Sequence, residues 1–512
     1  MWRKGGSHVS DEAEAEADAT FGCTMLPSRL SRRDQSPPSS SGYLRVSSAE
    51  DYAHLVEAHA RQAADNSLYP GLNYENLSRY LLEPYTQSYK PRSRDPSGET
   101  SRNGRIACFA MLHDLSAAPH ERETPFLSPD AFERSEAIQN LGISSTGYLL
   151  FMRGNPTPEW LNTIGYSCNV DPDFFLKHLD FRSTAGKQDY FNLPSLPSTN
   201  ENFIRLRWTT IGSRLANFEI NGHDQGRIDL LRKDSAKKME QYLQDIRSTH
   251  KMSICDSFVR RFAVHDENHF SLEQDVSICV NTVGNGWIIV VWQDVGNDSM
   301  QGLSGPWLEP PNHSFSWKTQ ALPTIQHKPY MALEARSTPM RKCSEVPGAG
   351  KFTQSASLLY LNCGKTLDQE LLSYNPFYVL TDLFKFTAFA EAQFLNMMET
   401  KLKKEIDFSV TDKRHTPTFS NILYSKTLLD QHVDQIEDAI ASIKSNNDTP
   451  FVDGSVEIDR EVLAVSTKLL RDFESLSNRA KALSLHCENG MKIVANNNIL
   501  LESQRASSRP LE

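Results

Sequence analysis

The sequence predicts an α+β fold: a mixed sheet with helices packed upon it, followed by long C-terminal helices that form a coiled-coil-like stalk. Three observations predict it. Between residues 105 and 300, short β-branched and aromatic runs alternate with helical segments. Gly284-Asn285-Gly286 separates two apolar runs as a hairpin turn does. After residue 370, apolar side chains recur at alternating steps of four and three. The chain of 512 residues has room for several folded units at roughly 150 residues each. Its 39% hydrophobic content is lean for a fully folded protein, so part of it is expected to stay unfolded.

Residues 1–45 are expected to form a disordered tail. They hold the acidic alanine run Asp11 to Asp18, the basic Arg32-Arg33 and Pro37-Pro38 followed by serines, and bury too little to offset their entropy. Residues 46–104 read as short helices and a loop. Ser47-Ser48-Ala49-Glu50 resembles a helix cap ahead of Tyr52, Leu55, Val56 and Ala60, a second helix covers Tyr74 to Leu82, and 91–104 is a loop.

Residues 105–300 form the α/β domain. Its strands are expected at Arg105 to Leu112, Gly147 to Met152, Phe203 to Thr210, Phe258 to Val264, Gln274 to Asn281 and Trp287 to Gln293. Helices are expected at Pro158 to Ile164, Pro172 to Leu179 and Ala236 to Ile246, the first two with proline at the first position. The last two strands are expected to be antiparallel neighbours.

Residues 301–370, punctuated by Gly305-Pro306, Pro310-Pro311, Pro323 and Pro347-Gly348, read as an irregular linker. Residues 371–512 read as the helical stalk. A helix opens at Pro376, and a second places Leu429, Val433, Ile436, Ile440 and Ile443 on one seam. The third runs through Leu469, Phe473, Leu476, Ala480, Leu483, Cys487, Gly490, Val494, Asn497 and Leu501, which predicts a helix of about 40 residues. It is expected to pack against neighbouring helices of other copies or as an antiparallel hairpin with the 429–443 helix, and the two are compatible, since a hairpin can also stack on copies of itself.

Charge and hydropathy exclude several classes. Fifty-four Lys and Arg against 64 Asp and Glu leave a net charge of −10, which disfavours nucleic acid as a partner. The longest apolar run, Trp287 to Trp292, is far short of the about 20 residues a bilayer span needs. Met1-Trp2-Arg3-Lys4 leads into polar sequence without the apolar stretch of a secretory signal, so residence in the cytoplasm is expected. The eight cysteines include no Cys-x-x-Cys pair and read as free thiols.

No motif carries visible enzymatic chemistry. His265-Asp266-Glu267-Asn268-His269 spaces two imidazoles as zinc hydrolases do, yet Asp266 stands where those enzymes place glutamate, and the flanks read as strand and loop. Gly348-Ala349-Gly350-Lys351 lacks both the glycine five residues before Gly350, where Glu345 stands, and the hydroxyl after the lysine, where Phe352 stands. Asp294 and Asp298 follow the most apolar strand and offer oxygens to a hard cation, or serve as ordinary loop acids. The chain is therefore expected not to be an enzyme, and no catalytic, cofactor-binding or metal residue is assigned.

Several stretches resemble fungal CorA-like transporter domains, within the CorA-like magnesium transporter group. They are Arg153-Gly154-Asn155-Pro156-Thr157-Pro158-Glu159-Trp160-Leu161-Asn162, Val170 to Phe175, His178-Leu179-Asp180-Phe181, Trp287 to Asp294, and Gly305-Pro306-Trp307. The ending, Ala480 to Leu483, Gly490-Met491 and Glu502 to Ala506, is similar to the stalk helix that precedes the membrane in that group. The resemblance covers roughly residues 105 to 506. It implies a cytosolic α/β domain followed by a long stalk helix, a homo-oligomer, pentameric if transporter-like, and magnesium as a regulatory ligand. The family's two membrane helices and its Gly-Met-Asn pore tripeptide have no counterpart here, since Lys492 follows Gly490-Met491. The expectation is a soluble relative of the transporters' cytosolic part that does not transport alone. It is expected to be a truncated product, an incomplete gene model or a regulatory subunit packed on a full-length relative, peripheral to a membrane through that partner, or integral to the membrane if the gene model is incomplete. The alternative is a soluble interaction scaffold that uses the helical stalk as its partner surface.

Overall fold

The computed structural model describes residues 46–63, 65–86, 108–118, 121–143, 147–179, 196, 203–216, 225–247, 251–300, 302–308, 317–327, 352–411, 418–447 and 456–507. The expected disordered tail, the loop at 91–104 and Gly348-Ala349-Gly350-Lys351 lie outside these residues.

One mixed sheet holds the strands: β1 (Ala110–Asp114), β2 (Glu123–Phe126), β3 (Gly147–Arg153), β4 (Phe203–Ala216), β5 (Arg261–Val264), β6 (His269–Val283), β7 (Gly286–Gln293) and β8 (Trp317–Ala321). Their order is β2-β1-β3-β7-β6-β4-β8, with β5 pairing β6. β3 and β7 are parallel, and the other pairs are antiparallel. Both parallel strands are buried along their whole length, as strands covered on two faces must be. The expected hairpin is present: Val283 pairs with Gly286 across a two-residue turn in which Gly284 has φ +58°. A Cβ there would approach the Gly142 carbonyl oxygen to 2.3 Å, so the position requires glycine.

Two helical layers cover the sheet. On one face Leu150, Met152, Val290 and Trp292 pack against α1 (Ala49–Ala60), α2 (Glu75–Leu82), α3 (Pro129–Glu133), α4 (Glu136–Gln139), α5 (Pro158–Ser167) and α6 (Pro172–His178). The local signals hold: Ser48 accepts the Asp51 N–H at 3.1 Å to cap α1, and Asp171 accepts the Asp173 N–H at 2.8 Å ahead of Pro172 in α6. A third cluster, around Tyr242 of α7 (Gln225–Arg247), Phe258, Phe270 and Trp307, closes one end.

On the other face Leu149, Phe151, Ile278, Ile289 and Val291 pack against helices of the C-terminal part. These are α8 (Leu359–Asn362), α9 (Gln369–Tyr374), α10 (Pro376–Val379), α11 (Thr381–Thr411), α12 (Thr418–Asn447) and α13 (Val456–Ser507). One apolar cluster runs from the sheet into the three long helices. α12 is antiparallel to α13, since Lys444 meets Glu474, Lys481 meets Glu437 and Lys426 meets Glu488. α11 is parallel to α13, with Phe384 against Phe473 and Glu399 against Arg479.

The antiparallel pairing within the chain is therefore present. Every seam position expected from Leu469 to Val494 is buried. Buried Val462 and Ser466 extend the same step pattern upstream, so α13 has 52 residues, about 78 Å, rather than about 40. Beyond Val494 no described residue of α13 is buried, and Ile499 and Leu500 are 64% and 60% exposed. With Leu485 and Ile493 they form a second apolar stripe on the face turned from the seam.

Several elements differ from expectation. β2 and β8 were not predicted; β8 lies within the expected linker and extends the sheet beside β4. β6 begins at His269 rather than Gln274 because the hairpin with β5 turns at Asp266, whose carboxylate accepts the Asn268 and His269 N–H groups, and β5 begins at Arg261 rather than Phe258, whose N–H goes to the Asp294 carbonyl. The helix opened by Pro376 is divided at Leu380, and α7 starts well before Ala236.

Candidate functional site

β7 and β5 pair the same side of β6, one after the other. β7 occupies Val276 to Val283 and β5 occupies Phe270 to Glu273. The ladder must be completed where one hands over to the other. Asp294 does this: its N–H donates to the Asp275 carbonyl at 2.9 Å, its carboxylate accepts the Asp275 N–H at 2.6 Å, and its carbonyl accepts the Phe258 N–H at 2.9 Å.

The handover gathers charge. Arg260 grips Asp294 with Nε and Nη2 at 2.7 and 2.9 Å, and Arg207 grips Asp275 across the β4–β6 pair at 2.6 and 3.1 Å. Arg205 Nε lies 3.3 Å from Asp275 Oδ2. Glu273 Oε2 accepts from Gln435 at 3.2 Å and lies 3.5 Å from Arg207 and 3.8 Å from Arg261. Asp294 is 0% exposed and Asp275 1%. Burial pushes both carboxyl groups up. For Asp275 the guanidiniums of Arg260, Arg207 and Arg205 more than reverse this, and for Asp294 Arg260 and His178 do, so both sit below the usual carboxylate range.

Two buried histidines flank this cluster and behave oppositely. His178 of α6 is 0% exposed and stacks on Trp292 at 4.0 Å. Its Nδ1 is 2.9 Å from Ser277 Oγ, and its Nε2 is 3.2 Å from Asp294 Oδ1, though off the N–H direction. Burial lowers its pKa, because its one carboxylate neighbour is already shared with Arg260. His432 of α12 is 1% exposed, with Nδ1 2.9 Å from both oxygens of Glu391 on α11 and Nε2 3.8 Å from Glu273. Burial lowers its pKa, but the carboxylates of Glu391 and Glu273 outweigh that and hold it above 6.5.

Ser277, His178 and Asp294 have the contacts of a nucleophile, base and orienter. All three are fully buried, so no substrate reaches the hydroxyl, and the arrangement can only clamp α6 to the sheet. Nor do the metal candidates from the sequence assemble. Asp294 is committed to Arg260, whereas Asp298 accepts the Met300 and Phe352 N–H groups. His265 is buried against Ser271 at 2.9 Å, while His269 turns to Asp266. They face each other across the β5–β6 hairpin, with His265 N–H donating to the His269 carbonyl, rather than lying on one helix face. Among the described residues no three His, Cys, Asp or Glu side chains are grouped to hold a metal ion. The six cysteines there are free thiols, five of them buried.

Sequence reasoning missed Arg205, Arg207, Arg260, Glu273, Asp275, Glu391 and His432. One signal was available: β4 carries arginine at alternate positions and β6 carries acids at alternate positions, so paired strands bring opposite charges together.

The depressed carboxylates make acid sensitivity predictable. A carboxyl whose folded value lies below its unfolded 3.8 contributes stability that is full above 3.8 and is lost as pH falls through the folded value. Stability is therefore expected to fall steeply below pH 3.8, and Asp275→Asn to flatten that part of the profile. Urea unfolding from pH 5 to 2.5 measures both, and equal slopes for the two proteins would contradict the assignment.

The chain matches no family model and no curated protein.

Proposed function

We propose that the chain is a CorA-like protein, related to the cytosolic part of magnesium and other divalent-cation transporters, that acts as a regulatory or stalk-bearing component rather than an enzyme. The observation that carries the reading is the convergence of the resembling segments on Trp292. Its indole N–H donates to the Gly154 carbonyl at 3.0 Å, its ring meets Phe174 and Phe175 at 6.4 and 6.0 Å, and His178 stacks upon it. Segments separated by more than a hundred residues form one packing unit, which supports reading them as a single family core.

The order of layers supports it too: a mixed sheet between helices, then a helix of 52 residues. Among the described residues no helix is long and apolar enough to cross a membrane, so conduction is assigned to a membrane-spanning partner. The stripe of Leu485, Ile493, Ile499 and Leu500 suits side-by-side packing of α13 between copies, with magnesium as a regulatory ligand.

Sedimentation at several concentrations, with melting curves at zero and millimolar magnesium, tests the reading. An oligomer dissociated by Leu485→Glu with Leu500→Glu, and a melting point raised by magnesium, are expected. A concentration-independent monomer indifferent to magnesium overturns it. An oligomer or heteromer without any magnesium response favours the second reading, an interaction scaffold that uses the same stripe.

A further inference from the structure

We propose that His432 is a proton-operated latch: its imidazolium, held between Glu391 of α11 and Glu273 of β6, fastens α12 to the sheet, and loss of the proton loosens that helix. The site is built for a cation. The ring lies flat on Phe394 of α11 at 3.9 Å and 10°, which fixes its plane with Nδ1 hydrogen-bonded to Glu391 and Nε2 3.8 Å from Glu273, within ion-pair reach but without a hydrogen bond. Glu391 and Glu273 are 5% and 2% exposed, so each is a desolvated anion in need of positive charge.

The other charged groups do not supply it equally. Glu273 is approached by Arg207 from β4 at 3.5 Å and by Arg261 from β5 at 3.8 Å, and accepts from Gln435 on α12 itself. Among these contacts Glu391 has His432 alone. His265, at the end of β5, meets Phe394 edge-on; burial holds its pKa well below 6.5, with Lys401, His432 and Arg232 adding to the fall, so it stays neutral. A neutral His432 would leave an imidazole lone pair or an undersized dipole facing one of two buried anions.

The sign follows from the direction of the shift. A histidine whose folded value exceeds 6.5 contributes stability that is full below 6.5 and is lost as pH rises through the folded value. This is opposite to His178 and to the acid-sensitive carboxylates. α12 also holds α13, through Lys426 to Glu488, Ser484 to Asp430 and Glu437 to Lys481, so loosening α12 reaches the long helix. The latch is independent of the family reading, because it requires neither an oligomer nor magnesium.

Histidine NMR titration with amide hydrogen exchange from pH 5.5 to 8.5, corrected for intrinsic rates, tests it on the whole chain. His432 is expected to titrate above 6.5, and exchange in residues 425–440 to accelerate through that titration, by up to about tenfold per unit separating folded and unfolded values. Glu391→Gln should move the titration down and remove the acceleration, and His432→Gln should remove it while leaving α1 unchanged. A His432 value at or below 6.5 in the native protein, which needs no variant, overturns the latch. So does the same pH dependence in the native protein and Glu391→Gln.

Discussion

Asp294→Ala is expected to lower the unfolding free energy by about 3–5 kcal/mol, the range for breaking a buried ion pair from one side. The substitution removes both acceptors of the Arg260 fork, the acceptor of the Asp275 N–H and the anion beside His178. The cost lies chiefly in what is left behind: a guanidinium with 8% of its side chain exposed and no neutralising partner of equal quality. Asp275 lies 3.7 Å from Arg260 Nε but is already gripped by Arg207, so it compensates only in part. Combining the change with Arg260→Met should recover part of the loss, because no charge is then stranded. Equilibrium urea unfolding measures both proteins. A loss below about 1 kcal/mol for the single variant would mean the handover between β7 and β5 does not depend on this carboxylate.

Trp292→Ala is expected to cost about 3–5 kcal/mol, as for other fully buried large aromatics. The indole is 0% exposed and packs with Phe174, Phe175 and His178, so its removal opens a cavity that three rings cannot fill without leaving their own contacts. Trp292→Phe retains most of the area but strands the Gly154 carbonyl, which predicts a loss of about 1–3 kcal/mol. Thermal unfolding by circular dichroism should rank the three proteins in that order. A phenylalanine variant as damaged as alanine would show that the hydrogen bond, not the ring, holds the unit.

What could be read in advance depended on how local the signal was. The turn at Gly284-Asn285 and the runs on either side announce themselves within a dozen residues, and the α13 seam repeats often enough to survive Ala480 and Gly490, although polar Ser466 hid its upstream part. β2 and β8 are four and five residues long; Pro125 interrupts the first, and the second sits among prolines, so tertiary pairing alone makes them strands. The ionic cluster was hidden for a different reason. Arg205, Arg207, Glu273 and Asp275 look like the solvent side of amphipathic strands, and only the β4–β6 register reveals that they neutralise one another indoors. Asp294 was noticed, but as a potential cation ligand, because sequence cannot show that Arg260 has already claimed it. Glu391, His432 and Gln435, equally without a role in the sequence reading, belong to helices whose charged residues are mostly outside.

α13 is gripped from Val462 to Val494, and its last 13 residues reach about 20 Å past that grip. Mechanically it is a lever arm with its fulcrum in the helical layer. A bend of about 15° where the grip ends, near Val494, carries Ser507 sideways by about 5 Å, on the order of a strand spacing, while the packed seam upstream stays in place.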